Sequence, residues 1–399
     1  MSGQFSHRDA EFHAPTPADT NNAITDLSAM AEQMRQTYAN AEEVLSRFEV
    51  SLDNDALAPQ PPPISVVRRR GLVPLTLVNR KMPYRRGLGK GTCPMKAIVV
   101  TDEPAGTAGM TLVELPEPEP ATNDVVVQVH ASGFTSGELT WPSTWTDRLD
   151  RDRTPSIPGQ ELAGVVTALG YGTTGLSVGQ RVFGLTDSYR GGGLAEYVAI
   201  EARNLAPLPG DVDFTVGTSL PMPGLTAWQG LFEHGRLQAG QSVLVHGAAG
   251  SVGSMVTQLA REAGAYVVGT GRAADRQKAL DFGAQEFVDL DNDALEDVGG
   301  VDLVFDVIGG DIQRRSVGVI RAGGTLVTIA GPPEARPADG LAIDFVVVPD
   351  RAQLGEIVQR VRDGRLRTNI GNIATLDDAV AALNPTERIS GQTIIRVRP

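Results

Sequence analysis

The sequence of 399 residues contains a single cysteine, Cys93. One cysteine excludes a disulfide within the chain and a cysteine-rich zinc site. No uninterrupted apolar run approaches the roughly 20 residues that a membrane-spanning helix needs, and the polar first residues lack the apolar core of a signal peptide. These absences fit a reducing compartment, so we expect a cytoplasmic protein.

Basic residues are fewer than acidic ones. The 35 Lys and Arg residues against 48 Asp and Glu residues give a net charge of −13. An acidic chain of this kind is not expected to bind nucleic acid or an anionic membrane surface. The hydrophobic share of 41% and charged share of 21% are ordinary for a globular protein, and the length allows two domains and an extra segment.

Residues 1–94 differ in pattern from the rest of the chain. Residues 1–20 are polar and contain prolines, which predicts disorder. Between about 21 and 52, apolar residues recur at alternating steps of three and four, which predicts one helix whose narrow apolar face packs on a partner chain or on the body of the protein. A proline run and a basic stretch follow, and the basic stretch is either a flexible linker or a tail for an acidic partner. Met95 opens the first strand pattern, and we expect it to be the natural start.

The remaining residues predict an α/β fold in two domains. Short β-rich runs separated by glycine and proline predict a β-rich domain over 95–220. Strand and helix patterns then alternate, which predicts a doubly wound parallel sheet over 221–340. Residues 341–399 end in another strand pattern and are expected to return to the first domain. The cleft between two such domains is the expected site.

The most informative stretch is 241–272, which reads as strand, glycine-rich turn, helix and strand. In the turn, Ala248 replaces the first glycine of the usual dinucleotide fingerprint, whereas Gly250 and Gly253 are present. Gly250 would let backbone amides approach a pyrophosphate, and Gly253 would let the helix pack on the strand. An ordinary strand-to-helix turn is the alternative interpretation, but the second strand in the expected place favours a dinucleotide.

The end of the second strand indicates which dinucleotide. NAD-binding units usually carry an acidic residue there, whereas this chain reads Gly-Thr-Gly-Arg over 269–272. The fork of Arg272 suits a 2′-phosphate, with Arg276 and Lys278 close behind. We therefore predict NADPH rather than NADH; the alternative is that these are solvated surface charges.

Five motifs occur in the order seen in the medium-chain dehydrogenase/reductase superfamily. They are PGQELAGVV at 158–166, VGQRVFG at 178–184, GLAEYV at 193–198, LPMPGLTAW at 220–228 and GQTIIRV at 391–397. From Met95 to Val397 the chain resembles this superfamily, and within it the zinc-independent quinone oxidoreductase branch that includes ζ-crystallin. The resemblance implies a GroES-like catalytic domain followed by a Rossmann domain, with a helical and disordered N-terminal extension outside it.

The zinc ligands of the superfamily are missing. Zinc alcohol dehydrogenases carry Gly-His-Glu where this chain has Gly159-Gln160-Glu161, and a catalytic cysteine near 132–138, where this chain has none. A tight zinc site needs such nitrogen and sulfur ligands. We therefore expect no bound metal, and structural roles for His130, Glu161 and His246.

The resemblance implies hydride transfer from NADPH to a quinone or an activated alkene such as an enone. The negative oxygen that results needs a hydrogen-bond or proton donor. The candidate catalytic residues are Thr135 as a hydroxyl donor, Glu138 as a proton relay or an orienting group, and Trp141 as a pocket wall. Trp141 and its neighbour Trp145 are equally compatible with plain packing at the domain edge.

The same resemblance gives the candidate cofactor-binding residues by their place along the dinucleotide. They are Thr226 at the nicotinamide; Ala249, Gly250, Ser251, Val252 and Gly253 at the pyrophosphate; Thr270 and Arg272 at the 2′-phosphate; and Ile308, Ala330, Gly331, Phe345 and Val347 at outer positions.

Two other functions are compatible with these motifs. One is an enoyl-thioester or alkenal reductase of the same branch. The other is a non-catalytic NADPH-binding sensor whose N-terminal helix binds a partner. A homodimer is also expected.

Overall fold

The computed structural model describes residues 93–387 and 389–398. The helix expected near 21–52 and the basic stretch after it lie outside the described residues. No helix in the described part of the chain is long and apolar enough to cross a membrane.

The described strands carry labels in chain order. They are β1 Pro94–Val99, β2 Thr111–Pro116, β3 Asp124–Gly133, β4 Glu161–Leu169, β5 Arg181–Leu185, β6 Tyr197–Glu201, β7 Leu205–Pro207, β8 Ser242–Val245, β9 Tyr266–Gly271, β10 Glu286–Asp289, β11 Val301–Asp306, β12 Ile320–Thr328, β13 Gly340–Asp344, β14 Ile370–Thr375 and β15 Gln392–Arg396.

The described α-helices are α1 Pro142–Trp145, α2 Phe214–Thr218, α3 Pro221–Trp228, α4 Ser251–Glu262, α5 Arg276–Asp281, α6 Gly310–Ser316, α7 Arg351–Arg362 and α8 Ala379–Ala382. Short 3₁₀ segments include Glu103–Gly109 and Ser136–Thr140, and a π-helical turn, Gln229–His234, follows α3.

Six strands form a parallel sheet in the order β10-β9-β8-β11-β12-β13. Numbered from β8, this is the 3-2-1-4-5-6 order of a doubly wound dinucleotide-binding fold. The strand order reverses between the paired strands β8 and β11, and the crevice beyond their carboxyl ends is where such sheets bind ligands. The predicted α/β class and the doubly wound parallel sheet are confirmed.

Helix α4 shows how the local sequence builds this unit. Its buried face includes Met255, Val256 and Leu259, which belong to the core cluster that also contains strand residues of the sheet. The helix ends before Gly264, whose φ of +84° suits the left-handed residue that closes many helices. The amphipathic period and the glycine stop in the sequence therefore predicted this helix closely.

The other large sheet is mostly antiparallel and runs β14-β15-β3-β4-β5-β7, with β6 also paired to β3. Strands β14 and β15 come from the C-terminal segment, so that part of 341–399 lies in the first sheet. The short β13 at 340–344 instead extends the parallel sheet. The domain boundaries given above remain predictions.

One buried cluster contains residues of both sheets. Phe183 and Leu185 of β5 belong to it together with Val243 and Val245 of β8, and α3 supplies Leu225. Burial of large apolar side chains contributes about 1.5–3 kcal/mol each. The cluster fixes α3 between the sheets, and α3 leads directly to the site described next.

Candidate active site

A cavity of about 820 Å³ opens between the two sheets. One part of its lining is the glycine turn, from Ala249 to Val252. Another part, which we call the apolar end, consists of Phe134, Leu139, Met222, Leu383 and Ile389. The segment Ser390–Thr393 also borders the cavity. The cavity therefore joins a backbone-lined region to an apolar one.

The glycine turn is tighter than its sequence suggests. A Cβ on Gly253 would lie 2.1 Å from the Gly247 carbonyl oxygen, so only glycine lets the start of α4 approach the turn. The residue with positive φ is Gly247, at +64°. Ala248 is fully buried against Gly269, which explains why alanine is tolerated at the first fingerprint position.

The start of helix α4 can receive an anion. No side chain caps its N-terminus at Gly250, and the first amides of a helix carry partial positive charge. Ser251 and Val252 border the cavity. Four of the candidate pyrophosphate residues, Ala249 to Val252, thus line one wall, and Gly253 lies behind them.

Asn369 braces this turn from the C-terminal segment. Its side-chain amide donates to the carbonyl oxygens of Ala249, at 2.9 Å, and Gly250, at 3.1 Å. Sequence reasoning missed Asn369, because a contact across 120 positions leaves no local pattern.

The end of β9 only partly matches the sequence prediction. Thr270 is fully buried, and its hydroxyl lies 2.9 Å from His246 Nδ1. That hydroxyl is directed into the sheet, so the structure does not support its assignment to a 2′-phosphate. Burial lowers the pKa of His246 to about 4, which keeps the imidazole neutral between Thr270 and Ser316.

Arg272 is exposed, and its side chain forms no hydrogen bond or ion pair with another described residue. Arg276, by contrast, donates to the Phe287 carbonyl oxygen and lies 3.4 Å from Asp293. The structure also brings an acid to this edge, because a Cβ on Gly271 would lie 3.6 Å from Asp275 Oδ2. The sequence did not indicate Asp275 as part of this site, because Asp275 lies four residues after the end of β9, whereas the acidic residue of NAD-binding units is expected at the strand end.

The outer candidate residues lie apart from the cavity lining. Ile308 is 45% exposed, and its amide donates to Asp306 at 2.9 Å. A Cβ on the neighbouring Gly309 would lie 2.9 Å from the Cβ of Ala330, so these two strand ends are adjacent. Gly331, with a φ of +134°, follows them. They border the crevice of the sheet rather than the cavity itself.

Phe345 and Val347 pack against the core instead of closing over the cavity. The ring centroids of Phe345 and of His234 in the π-helical turn are 4.5 Å apart. Phe345 and Val347 both pack against the buried cluster that spans the two sheets. Thr226 is buried within α3 at 4% exposure. Phe345 and Val347 thus make packing contacts and Thr226 is buried, and direct contacts of these three residues with a cofactor remain a prediction.

At the apolar end, Thr135 borders the cavity and Glu138 stands behind it. The Glu138 carboxylate accepts from the amides of Thr135 at 2.9 Å and Gly159 at 2.8 Å. Burial raises the pKa of Glu138 to about 7, although these amide bonds oppose the shift. Glu138 thus orients the backbone of Thr135, and its own carboxyl does not line the cavity.

The two tryptophans favour the packing interpretation. Trp145 is buried and its indole N–H donates to the Leu139 carbonyl oxygen at 2.9 Å. Trp141 is half-buried and is not among the residues that border the cavity. Neither ring is part of the lining of this cavity.

The position of a catalytic zinc ligand is filled by an amide. Gln160 is buried, and its side-chain oxygen accepts from the Thr186 hydroxyl at 2.7 Å. Within 93–387 and 389–398 there is no cluster of three or more His, Cys, Asp or Glu side chains arranged to hold a metal ion.

Comparison with known proteins places this geometry in a family. Residues 121–210 match the model of the alcohol dehydrogenase GroES-like domain, and 251–363 match that of the zinc-binding dehydrogenase. Quinone oxidoreductases from Rattus norvegicus and Homo sapiens are each 31% identical over 58% of this chain and 72% of their own length.

Solved structures agree with this assignment. The quinone oxidoreductase from Coxiella burnetii is 25% identical, with a TM-score of 0.70 over 77% of this chain and 100% of its own. An alcohol dehydrogenase superfamily protein from Novosphingobium aromaticivorans is 28% identical, with a TM-score of 0.66 over 76% of this chain and all of its own. The predicted GroES-like domain is confirmed, and the chain belongs to the medium-chain dehydrogenase/reductase family, whose oxidoreductases use NAD(P)H.

Proposed function

We propose that this protein is a zinc-independent, NADPH-dependent reductase of quinones or activated alkenes. The observation that carries the proposal is that one cavity is lined both by the uncapped start of α4 and by the apolar end. Such a cavity brings a dinucleotide and a flat, neutral acceptor into contact, and the similarity to quinone oxidoreductases supports the same activity.

The residues of the turn fit a dinucleotide. Gly250 borders the cavity, Gly253 lets α4 pack against the Gly247 backbone, and the amides that begin α4 lie at the cavity wall at Ser251 and Val252. Arg272 supplies the cation for a 2′-phosphate, and this supports NADPH. Asp275 at the same edge would instead suit the 2′-hydroxyl of NADH, so the two residues oppose each other in the choice of cofactor.

The apolar end fits a neutral acceptor. None of the described residues that border the cavity is a lysine or an arginine, and Glu103 at its margin is acidic. A coenzyme A thioester carries phosphates that would find no cationic partner along this wall. A quinone or enone therefore fits better than the enoyl-thioester alternative.

The chemistry divides between cofactor and protein. NADPH, when bound, supplies the hydride. Thr135 lies at the wall where an acceptor oxygen would gain negative charge, and its hydroxyl would donate a hydrogen bond to that oxygen. Glu138 holds the Thr135 backbone, while Leu139 and Met222 exclude water from the apolar end.

The test is NADPH oxidation by the full chain against a panel of quinones, enones, enals and enoyl thioesters. We expect turnover with quinones or enones, and a loss of about 10- to 100-fold in kcat for Thr135→Val. Thr140→Val is the matched control, because its hydroxyl also borders the cavity but donates to the Gly137 carbonyl oxygen at 2.8 Å.

NADPH binding without turnover on any acceptor would overturn the reductase proposal and favour a nucleotide sensor. Turnover confined to thioesters would overturn the proposed acceptor class. An equal loss in both threonine variants would remove the specific role given to Thr135.

A further inference from the structure

Glu161 is the least expected charged side chain near the cavity. It is fully buried at the start of β4 and does not itself border the cavity. Burying a carboxyl is costly unless it is well bonded or protonated.

The Glu161 carboxyl joins two segments that do border the cavity. It accepts from the Met222 amide at 2.8 Å, at the start of α3, and from the Gln392 side-chain amide at 3.1 Å, at the start of β15. These partners are 61 and 231 positions away along the chain. One carboxyl thus links the parallel-sheet side to the C-terminal strand of the other sheet.

A third segment passes directly against the same group. A Cβ on Gly133 would lie only 2.3 Å from Glu161 Oε2, so the end of β3 runs past the carboxyl at a distance that only glycine allows. The Glu161 carbonyl oxygen also accepts from the Ser132 hydroxyl at 2.9 Å. Phe134 and Thr135 follow immediately and border the apolar end.

We infer that Glu161 is a positioning residue for the proposed reaction, holding the ends of β3, α3 and β15 in the arrangement that forms the apolar end of the cavity. The inference rests on the proposed function for its kinetic part. Glu161 acts through Thr135, Met222 and Gln392, and this role needs no contact between Glu161 and the substrate.

The protonation state of Glu161 adds a property that plain packing would not have. Burial raises its pKa to about 8, and the neighbouring charge of Glu138 adds to this. Glu138 is the only charged group that acts on it among the described residues; the groups facing it from β3, α3 and β15 are Gly133, an amide N–H and a glutamine. The carboxyl is therefore mostly protonated at neutral pH and ionises in mild alkali.

The raised pKa of Glu161 determines whether the free energy of unfolding rises or falls with pH. The folded state holds a proton on Glu161 between its ordinary pKa of 4.5 and its folded pKa of about 8. The contribution of this protonated carboxyl to the free energy of unfolding is therefore greatest below pH 4.5 and is lost as the pH rises to about 8. The melting temperature without nucleotide should show this fall.

The experiment uses the full chain with two substitutions. Glu161→Gln copies the protonated carboxyl, and Glu161→Ala removes the acceptor for the Met222 amide. Glu201→Gln is the control, since Glu201 lies on β6 in an ion pair with an exposed arginine.

The first measurement is the melting temperature without nucleotide from pH 5 to 9. We expect a fall with rising pH in the wild type and the control, and a shallower fall in Glu161→Gln. Equal slopes in all three proteins would overturn the inference. The melting-temperature measurement does not depend on the proposed function, so the inference about Glu161 and the proposed function can fail separately.

The second measurement is acceptor kinetics with saturating NADPH, together with NADPH binding. Glu161→Ala should raise the acceptor KM at least about tenfold and change the NADPH dissociation constant less than about twofold. Glu161→Gln should keep the low-pH kcat/KM of the wild type without its alkaline change. An unchanged pH profile in Glu161→Gln, or an equal effect on NADPH and acceptor in Glu161→Ala, would contradict the inference.

Discussion

At the scale of single residues, two opposite charges lie at the edge where the adenosine end of a dinucleotide would bind. Arg272 is an exposed cation at the end of β9, and the Asp275 carboxylate approaches Gly271 from the next turn. A phosphate on the ribose is attracted by the first and repelled by the second. Cofactor choice therefore depends on the balance between two side chains.

Arg272→Ala should weaken NADPH binding by about 1–3 kcal/mol, the range for a lost charge-assisted hydrogen bond. NADH binding should change little, because NADH lacks the 2′-phosphate. Titration calorimetry with both nucleotides measures the difference. Arg321→Ala is the control, since Arg321 pairs with Asp302 near the amino ends of β11 and β12, away from the carboxyl end of β9. Equal effects on both nucleotides would refute the role given to Arg272.

Asp275→Asn should act in the opposite direction. Removing the negative charge lowers the repulsion of a 2′-phosphate, so the NADPH dissociation constant should fall by roughly two- to tenfold while that of NADH rises or stays the same. The same calorimetric titration measures both. Weaker NADPH binding in this variant would mean that Asp275 supports Arg272 instead of opposing it.

Single residues also mark where the sequence was least informative. The side chains of a strand alternate between its two faces. No local sequence pattern indicates that the Thr270 side chain faces His246 rather than the strand edge. Asn369 and Glu161 act through partners more than 60 positions away. Such contacts exist only after the chain has folded, so a motif cannot reveal them.

At the scale of elements, the strand, turn and helix of 241–272 were the most predictable part of the molecule. The apolar period, the glycines and the stop at Gly264 are local signals, and each one agrees with the structure. The return of β14 and β15 to the first sheet was also expected from the order of the patterns. The placement of β13 in the parallel sheet was not expected.

Gly253→Ala tests the turn. The added methyl group would lie 2.1 Å from the Gly247 carbonyl oxygen, so α4 has to shift and the amides at its start lose their arrangement. We expect the affinity for NADPH to fall at least about tenfold, as measured by nucleotide fluorescence.

Gly355→Ala is the matched control for this substitution. Gly355 lies in α7 with open space around it, so alanine there should stabilise the protein by about 0.5–1 kcal/mol without changing affinity. Unaltered affinity in Gly253→Ala would show that the turn does not hold the nucleotide.

At the scale of the whole molecule, one buried cluster spans the two sheets, and the cavity opens beside it. The family and fold class follow from motifs spread along 95–397 and are confirmed by the comparisons. The homodimer, the cytoplasmic location and the role of residues 1–94 remain predictions.

A metal-independent reaction is also a prediction for the whole protein. Dialysis against a chelator should leave the reductase activity unchanged. Gln160 accepts a hydrogen bond from Thr186 at the position where a zinc enzyme has a histidine ligand. The activity before and after dialysis is compared, with and without added zinc. Loss of activity that zinc restores would contradict a zinc-independent mechanism.

The most direct test of the account is a titration of the purified full chain with NADPH, followed by nucleotide fluorescence and by the melting temperature. We expect saturable binding and, at a concentration 100 times the dissociation constant, a stabilisation of about 2.7 kcal/mol. A fluorescence signal and a melting temperature that do not respond to NADPH would contradict the central claim that this cavity holds the reduced dinucleotide.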